Sequence, residues 1–141
     1  MRKAIRFLPI LVIVAGFTTV GISWAQGGSG GAGNLHAVLV TYENDTPADQ
    51  LKNHPDNVAF AKGLKKVPGL ISKTWINDGQ TFGGFYVFTH KASAEAFING
   101  EMFQGGVVKD PSNRNVRIRH FSVFSDLTAM SGGPTKTLSG K

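Results

Sequence analysis

The 141-residue chain contains no cysteine. Disulfide scaffolds, thiolate metal sites, CxxC redox chemistry and cysteine nucleophiles are therefore excluded, because each needs a sulfur ligand or thiol. Histidine is scarce as well, with four residues at 36, 54, 90 and 120. None of them falls into an HxH, HxxxH or ExxH pairing, so no local metal motif exists, and neither a metal nor a cofactor is expected. Gly83-Gly84 lacks the Lys-Ser/Thr ending of a phosphate loop. Gly28-Ser29-Gly30 lies in a glycine tether, which cannot hold a nucleophile in place.

Charge is absent from Phe7 to Trp24, directly after Arg2, Lys3 and Arg6. A basic start, an apolar stretch, and small residues Ser23 and Ala25 around Trp24 form the pattern of a secretory leader. The expected cleavage follows Ala25, which makes the protein exported, periplasmic or secreted. A retained leader would instead anchor it to the membrane. The leader takes three basic residues with it, which leaves twelve Lys and Arg against nine Asp and Glu. So small an excess argues against a nucleic-acid partner. Residues 26–34 read as a flexible Gly-rich linker, 35–126 as the folded domain and 127–141 as a loose tail.

Within the domain, Leu35–Tyr42 reads as a buried strand rich in Val and Leu. A helix is expected over Pro55–Val67 after a short turn, with Val58, Ala61, Leu64 and Lys65 along one face. Pro68-Gly69 ends it, Leu70–Ile76 forms a second strand, and Asn77-Asp78-Gly79 reverses the chain into a third over Phe82–Thr89. A second helix covers Lys91–Ile98, with Asn99-Gly100 at the left-handed cap position. Met102 and Phe103 dock an irregular piece, Val116–Phe124 is the last strand, and the chain is loose from Ser125. The order strand, helix, strand, strand, helix, strand is the α+β ferredoxin-like split β-α-β arrangement, a four-stranded antiparallel sheet with both helices on one face. The other face is left bare. Phe82, Phe85, Phe88, Phe121 and Phe124 with Trp75 and Tyr86 exceed what one helix layer covers, which argues for a homodimer packed sheet to sheet.

Pro68-Gly69-Leu70, Lys73, Trp75, Gly83-Gly84-Phe85-Tyr86-Val87-Phe88 and Ala94-Glu95-Ala96-Phe97 together resemble the YdhR-type mono-oxygenases. The resemblance runs on through Phe121-Ser122-Val123-Phe124 and Leu127 to Gly133-Pro134. It implies a dimeric α+β barrel and kinship with the cofactor-free antibiotic-biosynthesis mono-oxygenases.

Oxygen insertion without metal or flavin requires a substrate that can itself give an electron to dioxygen, so the protein must bind, deprotonate and shield it. The needed parts are an apolar pocket, one base and one or two donors. For the pocket, the chain has Trp75, Phe85, Phe88, Phe97 and Phe103, with Phe60 and Met102. Tyr86 and Trp75 are donors, and His120 or His36 is the base. Antiparallel pairing of first and last strands brings the two histidines together only if the register is right. Each residue has a plainer role beside this one. Trp75 and Tyr86 would fill the dimer core, His120 would be a hydrogen-bonded core histidine, and Lys73 a solvated or ion-paired strand residue. The expected partner is a small hydrophobic or aromatic molecule, turned over by the protein or simply bound, with a partner protein as the other non-catalytic choice.

Overall fold

The structure, a computed structural model, describes residues 34–135. The leader and nearly all of the linker, 1–33, and the last residues, 136–141, lie outside the described residues. Strand β1 (His36–Glu43) is followed by helices α1 (Ala48–Asn53) and α2 (Pro55–Leu64). Strands β2 (Leu70–Asn77) and β3 (Thr81–Phe88) form a hairpin. Helix α3 (Lys91–Asn99) runs into α4 (Glu101–Phe103) and a π-helical turn at Gln104–Val108, and β4 (Arg114–Ser122) and α5 (Ser125–Met130) close the described chain. The sheet order is β2-β3-β1-β4, antiparallel throughout. This is the expected ferredoxin-like α+β fold. Among the described residues, no helix is long and apolar enough to cross a membrane.

β1 sits between β3 and β4 at the centre of the sheet, and its first three residues, His36, Ala37 and Val38, are all buried. Val38 and Val40 point toward the helices and join Leu64, Leu70, Tyr86, Phe88, Phe97 and Phe103 in the main core. On the opposite face Ala37, Ile71 and Val87 pack with Phe121 and Val123. A bulge between Leu70 and Ser72 puts the consecutive residues Ile71 and Ser72 on the same face, opposite Leu70, and so shifts the phase of the rest of β2.

Local chemistry explains the turns. The Asp78 side chain accepts hydrogen bonds from the Gln80 and Thr81 amides, and Gly79 takes φ +96°. Past Leu64 the backbone bonds tighten to three-residue spacing through Val67, and Pro68 forbids continuation, so α2 stops three residues before the expected end. Gly100 is not a left-handed cap. Its φ is −76°, because the chain leads at once into α4 and the Gly100 carbonyl accepts from the Gln104 amide. The piece at Met102 and Phe103 is helical, and Ser125–Met130 is a short helix where looseness was expected.

The aromatic residues divide between the two faces. Phe85 and Phe121 stand on the bare face beside Leu39 and Ala37. Phe82, Tyr86, Phe88 and Trp75 belong to the helix-covered face, and Phe124 lies beyond β4 with 79% of its surface exposed. The aromatic surplus of the bare face is therefore smaller than the sequence suggested.

Candidate active site

The chain opens a cavity of about 450 Å³ where α1 and α2 lean away from the distal halves of β2 and β3. Leu51, Val58 and Ala61 form its helix side, and Trp75, Phe82 and Tyr42 its sheet side. Tyr42 and Phe82 stack with ring centroids 6.4 Å apart, and Phe60 of α2 meets Trp75 edge-on. The indole is 44% exposed, as a wall of an open cavity must be. Asn57 fixes the corner between the two helices, donating to the Leu51 carbonyl at 2.8 Å.

A pinched recess of about 10 Å³ shares Tyr42, Asn57, Trp75 and Gly83 with this cavity. Lys73, Phe60, Tyr86 and Gly84 form its inner wall. Lys73 Nζ lies 2.7 Å from the centroid of the Trp75 ring, 5.0 Å from that of Tyr86 and 5.5 Å from that of Phe60. Gly84, paired across from Trp75, makes room for it, since a Cβ at 84 would collide with the Lys73 stem. Among the described residues, Lys73 enters no ion pair. Burial without a carboxylate penalises the ammonium and takes the amine down to about 6. The ring faces attract a cation, but they replace only part of the lost hydration. At neutral pH the recess thus holds a largely uncharged amine, able to take a proton.

Tyr86 is 2% exposed, and burial pushes its phenol well above the ordinary value. It remains protonated, so it is a donor and not a base. Tyr42 is shifted the same way, by burial first and by Asp110 second.

The residues singled out from sequence do not assemble into one site. His36 and His120 do meet, with Nε2 of the first 2.9 Å from Nδ1 of the second. Burial, then His120 and Lys91, lower the His36 pKa. Their pocket also touches His90 and Lys91 and opens at the start of β1, whereas Tyr42 marks the cavity end. Six residues of strand separate the two, about 20 Å at ~3.3 Å per residue. The histidines therefore do not face a ligand held against Trp75. Phe88 and Phe103 are wholly buried and Phe97 is nearly so, the three packing around Tyr86 as core. Phe85 points away from the cavity, across the sheet. Trp75 alone of the expected substrate-binding residues lines this cavity, and Tyr86 lines the recess. Tyr42, Asn57, Phe82, Leu51 and Val58 were not foreseen as site residues, and Lys73, for which solvation or an ion pair was the expected role, is only partly exposed and enters no ion pair among the described residues. Among the described residues, no group of three or more histidine or acidic side chains is placed to hold a metal ion.

The family model described as "Putative mono-oxygenase ydhR" matches residues 38–134. No curated protein sequence matches the chain significantly. Among solved structures, a protein of unknown function from Nitrosomonas europaea is similar with a TM-score of 0.51 and 21% identity, covering 67% of this chain and 93% of that one. A conserved protein of unknown function from Bacteroides thetaiotaomicron has a TM-score of 0.51 and 11% identity, covering 64% and 98%. A "putative Antibiotic biosynthesis monooxygenase" from Chloroflexus aurantiacus has a TM-score of 0.47 and 13% identity, covering 63% and 92%. At such identities the property shared with the first two is the fold alone.

Proposed function

The chain belongs to the ydhR mono-oxygenase family, and we propose that it inserts oxygen into a phenolic or hydroquinone-type aromatic molecule without a cofactor. The observation that carries this reading is the placement of Lys73, with no carboxylate partner among the described residues, in a recess that shares its walls with an apolar cavity lined by Trp75, Phe82 and Tyr42. A phenol held against Trp75 gives its proton to Lys73 Nζ. The resulting phenolate transfers one electron to dioxygen, and the two radicals combine at a ring carbon. The O–O bond then breaks, one oxygen staying on the ring and the other leaving as water. For a hydroquinone the balance is hydroquinone plus O₂ giving hydroxyquinone plus water, so the substrate supplies every electron. The apolar walls keep water from the phenolate and radical stages, and the Tyr42 and Tyr86 hydroxyls remain donors.

The dimer belongs to this proposal. Leu39, Phe85, Ile76 and Phe121 form an apolar patch on the bare sheet face beside Arg117 and Arg119 of β4, and a second copy laid on it would bury that patch. Export remains part of it on the strength of the leader pattern alone.

The test is oxygen consumption by the purified protein with a panel of hydroquinones and anthrones, with chelator present and no flavin. Uptake above the uncatalysed rate, matched by quinone formation, is expected. No uptake with any member would refute the oxygenase reading.

A further inference from the structure

The charges around the cavity mouth have one sign. Lys52 on α1, Lys62 on α2 and Lys65 just past its end border it, and no aspartate or glutamate does. All three are exposed, and among the described residues none enters an ion pair. By contrast, Lys91 and Arg114 elsewhere on the surface are matched to Glu95 and Asp45. A lysine lays its methylene stem on apolar surface and holds its ammonium at the water edge, so three of them make a cationic collar over an apolar interior. Such a collar stabilises a ligand whose ring enters the cavity while a negative group stays at the rim.

We propose that the ligand of this cavity is an aromatic molecule with an anionic substituent, a hydroxyaryl carboxylate being the simplest case. The inference rests on the cavity being the substrate site, and it assigns the three lysines to recognition, not to the chemistry. The hydroxyl of such a ligand is directed inward to Lys73, while the carboxylate stays with Lys52, Lys62 and Lys65. The collar also raises the local concentration of anionic aromatics before contact, an effect that salt weakens.

Isothermal titration calorimetry under argon separates this from turnover. The probes are 6-hydroxy-2-naphthoate, whose hydroxyl and carboxylate lie at opposite ends of the ring system, and neutral 2-naphthol. At low salt, on the order of 20 mM, the carboxylate is expected to bind about tenfold or more tightly, and the advantage should shrink toward parity in about 0.5 M salt. The Lys52→Gln/Lys62→Gln/Lys65→Gln protein, its fold checked by circular dichroism, should retain naphthol binding and lose the preference. Equal affinities, tighter binding of naphthol, no binding of either probe, or an undiminished preference in the triple variant would overturn the proposal. If naphthol binds equally well and is oxidised, the substrate class falls while the oxygenase stands. If the carboxylate preference appears without oxygen uptake, the converse holds.

Discussion

Lys73 and Trp75 are two residues apart on β2, and the lysine amine lies on the face of the indole, 2.7 Å from its centroid. No carboxylate pairs with it among the described residues, and burial leaves it with a pKa of about 6. A base matched to neutral pH is thereby placed in a recess that adjoins an aromatic cavity.

Replacing Lys73 by Met keeps the stem's bulk and removes the base, so oxygen uptake should fall by about 10²–10⁴-fold, the usual share of a general base. Lys73→Arg should fare no better, because a guanidinium stays protonated. In the unaltered protein kcat/KM should rise with pH through about 6, where the amine loses its proton, and then level off. A flat profile across pH 5–7 would count against the lysine.

Stability should carry the same signature with a definite sign. The folded amine titrates at about 6 and the unfolded one near its ordinary 10.5, so between these values the unfolded chain binds more protons. This group's contribution therefore makes the fold more stable as pH rises from 6 to 10. Thermal melts of Lys73→Met beside the unaltered protein should show a higher Tm for the variant at pH 6 to 7, and the gap should close toward pH 10. A gap independent of pH would show that the lysine is not buried as a neutral group.

Gly84→Ala tests the cradle. The added methyl meets the flexible end of Lys73 and lies 3.2 Å from the Thr74 backbone oxygen, so the lysine stem swings aside and the strand pair gives by a few tenths of an ångström. The fold should persist, and the amine, displaced toward water, should titrate higher and move the activity midpoint upward. Unchanged midpoint and rate would show that the glycine serves only strand packing.

His120→Gln should leave oxygen uptake within about twofold, because the His36–His120 pair lies some 20 Å along β1 from the cavity. A large loss of kcat would move the chemistry to the other end of the sheet.

Phe85→Glu places charge on the apolar bare face without touching the cavity. Sedimentation should show a dimer for the unaltered protein and a monomer for the variant. A monomer in both cases would refute the sheet-to-sheet assembly.

Much of this architecture was legible in the residues. Turn chemistry at Pro68-Gly69 and Asn77-Asp78-Gly79, together with the strand compositions, was enough to place the four strands and the two main helices within a few residues. The approach of His36 and His120 was legible up to the register of β1 against β4, which the structure supplies. The site was harder to read, and the bulge between Leu70 and Ser72 is one reason. Counting alternately from Leu70 puts Lys73 and Trp75 on the outer face, but the bulge shifts the phase and turns both inward. The same period of two hides which phenylalanines fill the core, since Phe85 and Phe88 differ only in phase. The cavity depends on the spread of α1 and α2 from the sheet, which is a tertiary property with no local signal.

The most direct test of the account is the fate of ¹⁸O₂ in a single reaction with a hydroquinone that the protein consumes, read by mass spectrometry of the product. One labelled oxygen in the hydroxyquinone, with the other recovered in water and the yield abolished in Lys73→Met, is the expected result. An unlabelled product would mean simple electron removal, two labelled atoms would mean dioxygenation, and an undiminished yield in Lys73→Met would take the base away from this site.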